Sequence, residues 1–166
     1  MIKSEFKNNV LISCDPTTLW NKYFDLIFKS VSTTKIFEKI DVDFKINVHL
    51  INNFQIKKLN SQFLNNDYET DVLAFNFYKG WKNGKLLNEK ELFPGGDEIY
   101  EIGEIYISIP KIISQSKENG VSFSKELSTM AIHGALHLLG YNHEDILEEK
   151  TMFSKTDEIL KKIILE

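Results

Sequence analysis

Three histidines fall within eleven residues, in the run His133-Gly134-Ala135-Leu136-His137-Leu138-Leu139-Gly140-Tyr141-Asn142-His143. The whole chain of 166 residues has four histidines, so the cluster asks for a chemical reason. Residues four apart sit one above the other on a helix face. His133 and His137 can therefore reach a single ion. Gly140 supplies the open or left-handed backbone that ends a helix. The chain can then turn and bring His143 to the same ion. A three-histidine set binds zinc and keeps a fourth position for water. One histidine on an apolar helix would read as a core residue; three at this spacing read as ligands for one zinc per chain.

The spacing is also informative for what it omits. Zinc peptidases with the pattern H-E-x-x-H place a glutamate directly after the first histidine as general base, and their extended form continues with G-x-x-H. This chain keeps the histidine and glycine spacing but has Gly134 at the glutamate position. Ordinary metallopeptidase chemistry is disfavoured, and a second catalytic group has to come from elsewhere.

The run HGALHLLGYNH resembles the signature H-G-x-L-H-L-x-G-Y-D-H of the YbeY family of metal-dependent endoribonucleases. Thr70–Phe75, reading TDVLAF, is similar to the family's T-D-V-L-S-F, and Leu59-Asn60 precedes it as in the family. Gly103–Ser108, reading GEIYIS, resembles its G-D-I-x-I-S, and Thr151-Met152-Phe153 fits its C-terminal element. The resemblance implies a zinc-dependent endoribonuclease specific for single strands. It implies a role in ribosomal RNA maturation at the small-subunit 3′ end, in ribosome quality control and in RNA turnover. Partners would be single-stranded or ribosomal RNA and the ribosome or its associated proteins. Three positions depart from the pattern: Asn142 replaces aspartate, Ala74 replaces serine, and Leu64 stands where the family has arginine. The chain contains no arginine; its 20 basic residues are all lysines. Lysine offers a point charge where arginine offers a planar bidentate fork. Lys57, Lys58, Lys79, Lys82, Lys85 and Lys90 are the candidates for a phosphate-binding strip.

For acid–base work the candidates are Asp71 and Glu104, with Glu144 and Asp145 behind them. Each also has a plain reading. Asp71 could bond backbone amides at a strand end, and Glu144 and Asp145 could be favourable charges at a helix N-terminus. Two other functions stay open at this point. One is a metallohydrolase acting on another substrate. The other is a non-catalytic, ribosome-associated module with structural zinc, which would require a fourth protein ligand.

Positioning these residues takes a real core, and 166 residues with 42% hydrophobic and 27% charged content can supply one as a single domain over residues 1–166. The net charge of −4 gives no general attraction to nucleic acid, so any RNA contact has to be local. A single cysteine, Cys14, forbids an internal disulfide and fits a reducing cytoplasm; it reads as a small buried residue. No signal-like or membrane-length apolar run is present, so a cytoplasmic location is expected.

The elements follow from periodicity. Residues 2–12 read as one or two strands. Asp15-Pro16 opens a helix to about Val31, with Leu19, Tyr23, Leu26 and Ile27 on its apolar side. Val42–Ile51 alternates as a strand, with His49 on its polar side. Asn52 or Asn53 caps a helix to about Leu64. Asp71–Phe77 is a buried strand, Tyr78–Glu98 a loop or hairpin, and Ile102–Ile107 another strand. Pro110 opens a helix to about Glu118. The histidine helix covers about Ser124–Leu139, and a last helix about Asp145–Ile164, with Met152 and Phe153 among its apolar residues. The class is α+β: a mixed sheet packed with helices, carrying a zincin-like metal site on a helix and its following turn. The family resemblance adds that the metal helix lies on one sheet face, with a cleft at the histidines.

Overall fold

The computed structural model describes residues 2–77, 79–87 and 100–165. Two short strands open it, β1 (Lys3–Lys7) and β2 (Val10–Cys14), paired antiparallel. Asn8 and Asn9 join them with φ of 51° and 61°. Asparagine tolerates this left-handed backbone, which a two-residue hairpin turn requires. A 3-10 turn, Trp20–Tyr23, leads into α1 (Phe24–Phe37). Then follow β3 (Phe44–Ile51), α2 (Asn53–Leu64), β4 (Val72–Asn76) and the small hairpin of β5 (Trp81–Lys82) and β6 (Lys85–Leu86). The chain continues with β7 (Tyr100–Ser108), α3 (Ile109–Glu118), α4 (Phe123–Leu138) and α5 (Ile146–Leu165).

The main sheet has the order β1-β2-β3-β7-β4. Its three central strands are parallel and both edges are antiparallel, so the expected mixed sheet is present. One face is continuous hydrocarbon: Val10, Ile12, Ile46, Val48, Leu50, Ile105 and Ile107 are all 1% exposed or less. Helices α1, α4 and α5 close over that core, and α4 packs against β4, β7 and the other two. Helix α2 lies on the opposite face, where its Phe63 ring meets Phe75 and Phe75 meets Tyr106. Among the described residues, no helix is long and apolar enough to cross a membrane. Cys14 is free and buried.

Several boundaries shift from the periodic reading. Asp15 does not start α1. Its carboxylate accepts from Thr17 N at 2.8 Å and closes a local turn, and the α-helix begins only at Phe24. Leu19 is consequently 72% exposed rather than on the apolar face. The same helix runs past Val31, because Ser30 and Thr34 hydroxyls bond carbonyls four residues back and are buried without penalty. Strand β7 begins at Tyr100, two residues before the alternation is visible. Within the expected 78–98 connection, residues 81–86 form a hairpin over Asn83-Gly84; Tyr78, Lys90 and the stretch 88–98 lie outside the described residues.

Close approach of α4 to the sheet depends on two glycines. A Cβ on Gly103 would meet Phe75 O of β4 at 2.3 Å and Leu138 Cδ2 of α4 at 2.7 Å, and one on Gly134 would meet Ile105 Cγ2 at 2.7 Å. Gly134 thus faces the sheet, and a peptidase-type glutamate there would have to pass through Ile105. An exposed helix-interior Gly→Ala change gains about 1 kcal/mol. Here Gly134→Ala is expected to lose about 1–3 kcal/mol through overpacking. Urea midpoints for Gly134→Ala, Ile105→Ala and the double variant will show strong coupling; additive losses would contradict this packing.

Candidate metal centre

Helix α4 starts at Ser122, whose hydroxyl accepts from Lys125 N at 3.2 Å. It ends with a left-handed Gly140 at φ 80°. Gly140 N bonds His137 O at 3.0 Å, and Tyr141 N reaches back to Leu136 O at 3.1 Å, which is a Schellman closure. The carbonyls that remain are taken by other elements. Asn76 Nδ2 donates to Leu138 O at 3.1 Å, Gly84 N to Leu139 O at 2.9 Å, and Asn83 N to Gly140 O at 3.2 Å. The chain leaves the helix in a fixed direction, and His143 comes back to its two predecessors.

His133 Nε2 and His137 Nε2 stand 3.1 Å apart. The ring of His143 is 5.0 Å from that of His137 and 5.5 Å from that of His133, and one nitrogen from each residue falls within 4.8 Å of the others. Two nitrogens on a tetrahedral zinc at about 2.0–2.1 Å would be roughly 3.3 Å apart, so the pair fits. His137 Nδ1 lies 2.9 Å from Tyr141 O. A carbonyl only accepts, so Nδ1 carries the proton and Nε2 presents its lone pair. Among the described residues, no fourth histidine, cysteine or carboxylate joins the group. The three histidines read from the sequence are brought together and could hold a metal ion with a position left open.

Burial pushes His133 down to about 4, with His137 and His143 adding repulsion and Asp71 opposing. His137 is lowered by burial and by His143, against its bond to Tyr141. Both are neutral near pH 7, the form that ligates.

Other named residues divide by location. Asp71 sits near enough to bias His133, and its carboxylate is fully held: Oδ1 accepts from Val72 N at 2.7 Å and Thr70 Oγ1 at 3.1 Å, Oδ2 from Gln115 Nε2 at 3.0 Å. Glu104 alternates with Gly103 and Ile105, so it points to the opposite sheet face and is not brought to the histidines. There Tyr106 donates to it at 2.7 Å, and His49 Nε2 lies 3.6 Å away with its ring on Tyr106 and its Nδ1 2.7 Å from Ser13 Oγ. Asp145 accepts from Leu147 N and Glu148 N, both at 2.8 Å, and caps α5. Glu144, Asn142 and Ala74 line a cleft of 620 Å³ beside His137, together with Lys79 and Lys82. Leu64 is half-exposed on α2, outside that lining, and Lys57 and Lys58 border a separate groove where Lys57 pairs with Asp67 at 3.4 Å.

Sequence reasoning missed the support behind the histidine turn. Tyr141, 4% exposed, donates to Glu38 Oε2 at 2.5 Å, and Lys155 donates to Glu38 Oε1 at 2.7 Å. Burial and the Glu38 bond push the Tyr141 phenol up to about 12. Nothing local marks Glu38 for this task. Asn76 carried a faint signal, an amide closing a strand beside the motif.

Fold and site together define an α+β protein with three histidines gathered at a helix end, where they could hold a metal ion. The chain belongs to the YbeY family: the family model described as Endoribonuclease YbeY matches residues 13–164. It is 38% identical over 143 residues to the Endoribonuclease YbeY of Malacoplasma penetrans, covering 86% of each chain. It is 39% identical to that of Caldicellulosiruptor bescii, covering 79% of this chain and 80% of the other. The solution structure of TM1509 from Thermotoga maritima aligns with TM-score 0.59 at 27% identity, covering 93% of this chain and 88% of that one. Membership makes the chain an enzyme of the hydrolytic nuclease class, in a metal-dependent family.

A pH dependence follows from the buried histidines. Free histidine titrates near 6.5, and His133 in the fold near 4. The folded state therefore binds fewer protons, and the metal-free protein loses stability as pH falls from above 6.5 towards 4. Urea midpoints at pH 7.5 and 5 will show a smaller loss for His133→Asn than for wild type; equal losses would remove His133 as a source.

Proposed function

We propose that this chain is a zinc-dependent, single-strand-specific endoribonuclease working in the cytoplasm as one domain. Its ligands are His133, His137 and His143, with one zinc per chain. Its tasks are maturation of the small-subunit ribosomal RNA 3′ end and ribosome quality control, in contact with the ribosome. The observation that carries the reading is the histidine cluster, with its 3.1 Å Nε2 pair and a tautomer fixed by Tyr141 O.

Zinc, when bound, polarises a phosphoryl oxygen and lowers the pKa of a ligated water to about 7. The chain's own residues supply the rest. Tyr141 O orients His137, and Gly140 delivers His143. Asp71, fixed by three donors, holds negative charge towards His133 and steadies it. Glu104, on the other face, belongs to the His49–Tyr106 network; a contribution to chemistry from there would have to be indirect. Glu144 and Glu148 are the carboxylates that line the cleft and could exchange protons along it. Lys79 and Lys82 are the cations that could take backbone phosphates in a chain without arginine. Gly134 against Ile105 argues against a peptidase, and the three-donor group argues against a closed structural site.

The decisive assay uses metal-analysed protein on single-stranded RNA, with casein beside it. Cleavage is expected for wild type and its loss for His133→Ala, and chelation should act likewise. Equal background from both proteins would overturn the reading. In the same assay Leu64→Arg is expected to leave cleavage little changed, because Leu64 lies outside the cleft lining; a gain would bring α2 into the RNA path.

Phosphate binding by the cleft lysines has its own signature. Lys79→Glu with Lys82→Glu should weaken RNA binding and flatten its salt dependence by about 0.7 in log–log slope for each phosphate that is no longer neutralised. Lys57→Glu with Lys58→Glu should change the slope much less. The reverse order would move the RNA path to α2.

A further inference from the structure

Phe153 stands out on α5. Its neighbour Met152 is 1% exposed, yet Phe153 is 54% exposed. Its ring lies 6.4 Å from that of His133, with planes 28° apart; His143 lies 5.5 Å from His133 at 25°. The phenyl thus continues a tier of near-parallel rings at the metal centre. Its helical neighbours Glu149, Lys150, Ser154 and Asp157 are all exposed and polar. The next exposed apolar side chains on α5, Ile146 and Leu147, lie about two turns away, so these polar groups flank the ring. It suits a flat π-surface that needs a single partner ring.

We infer that Phe153 is the stacking platform for one nucleobase of the RNA strand beside the scissile phosphate. The inference rests on the endoribonuclease reading above. Every base has a π-face, so an aromatic side chain holds single strands with little sequence preference. A paired base already stacked in a duplex cannot offer its face to Phe153. Phe153 then acts as a specificity determinant for unpaired RNA, placed next to the ligand His133.

The test separates stacking from cleavage. His137→Ala keeps the strand intact, and binding is read with a single-stranded RNA carrying 2-aminopurine at successive positions. One position is expected to be quenched. Adding Phe153→Ala should abolish that quenching and weaken binding by roughly 5- to 150-fold, while Phe153→Trp retains both. An abasic ribose at that position should cost the parent the same factor and cost Phe153→Ala nothing further. Circular dichroism checks that each variant is folded. Unchanged quenching and affinity in Phe153→Ala, or an abasic penalty that persists there, would overturn the platform. In cleavage assays, Phe153→Ala should lower kcat/KM on single strands mainly through KM, with Phe153→Trp restoring it. If wild type shows no His133-dependent cleavage, the endoribonuclease reading fails, and the quenching result still decides the stacking site. Absence of any RNA binding would sink both.

Discussion

The C-terminal end of α4 is the constraint from which the site follows. A helix leaves its last carbonyls without internal partners. Here Leu136, His137, Leu138, Leu139 and Gly140 all find donors, from the chain's own turn, from Asn76 on β4 and from the β5–β6 hairpin. That closure fixes where Tyr141 O points, and Tyr141 O fixes the tautomer of His137. The arrangement of the histidines is therefore a by-product of satisfying backbone groups. The hairpin, which would otherwise look like decoration on a loop, is part of the histidine turn.

Tight packing carries the arrangement down into the sheet. Gly134 lets α4 settle against the Ile105 side chain of β7, and Gly103 leaves room for Phe75 O of β4 and for Leu138 of α4. This brings the helix end level with Asn76 and the cleft residues. The alternation of β7 then sorts its side chains: Ile105 under the metal helix, Glu104 and Tyr106 on the reverse. One residue of register keeps Glu104 away from the histidines and in a separate network with His49 and Tyr106.

Much of this was legible in the sequence. The i, i+4 histidines and the following glycine specify a helix, its end and the gathering of the three rings, because both spacings are local geometry. The β3 alternation and the Asn52 cap were equally local, and the capping box with Gln55 is present. Long-range placement was not legible. Glu38 meets Tyr141 across 103 residues, and no periodicity reports such a pairing. The face on which Glu104 points depends on register with Gly103, and the exposure of Phe153 on how α5 rolls against α4. Asp15-Pro16 misled as a helix start, because Thr17 captures the carboxylate for a tighter turn. Within the lysine strip, Lys79 and Lys82 were separable from Lys57 and Lys58 only once the cleft had walls.

The Glu38 knot has a consequence for when activity can arise. All three donors are close in sequence, yet the turn presenting the third is clamped through bonds spanning 103 and 117 residues. Pairings of such separation form late, after the intervening chain has collapsed. A stretch of chain that holds the three histidines but lacks Glu38 and Lys155 has no bonds to frame the turn. The turn that presents His143 is therefore framed only once Glu38, Tyr141 and Lys155 have met, late in folding.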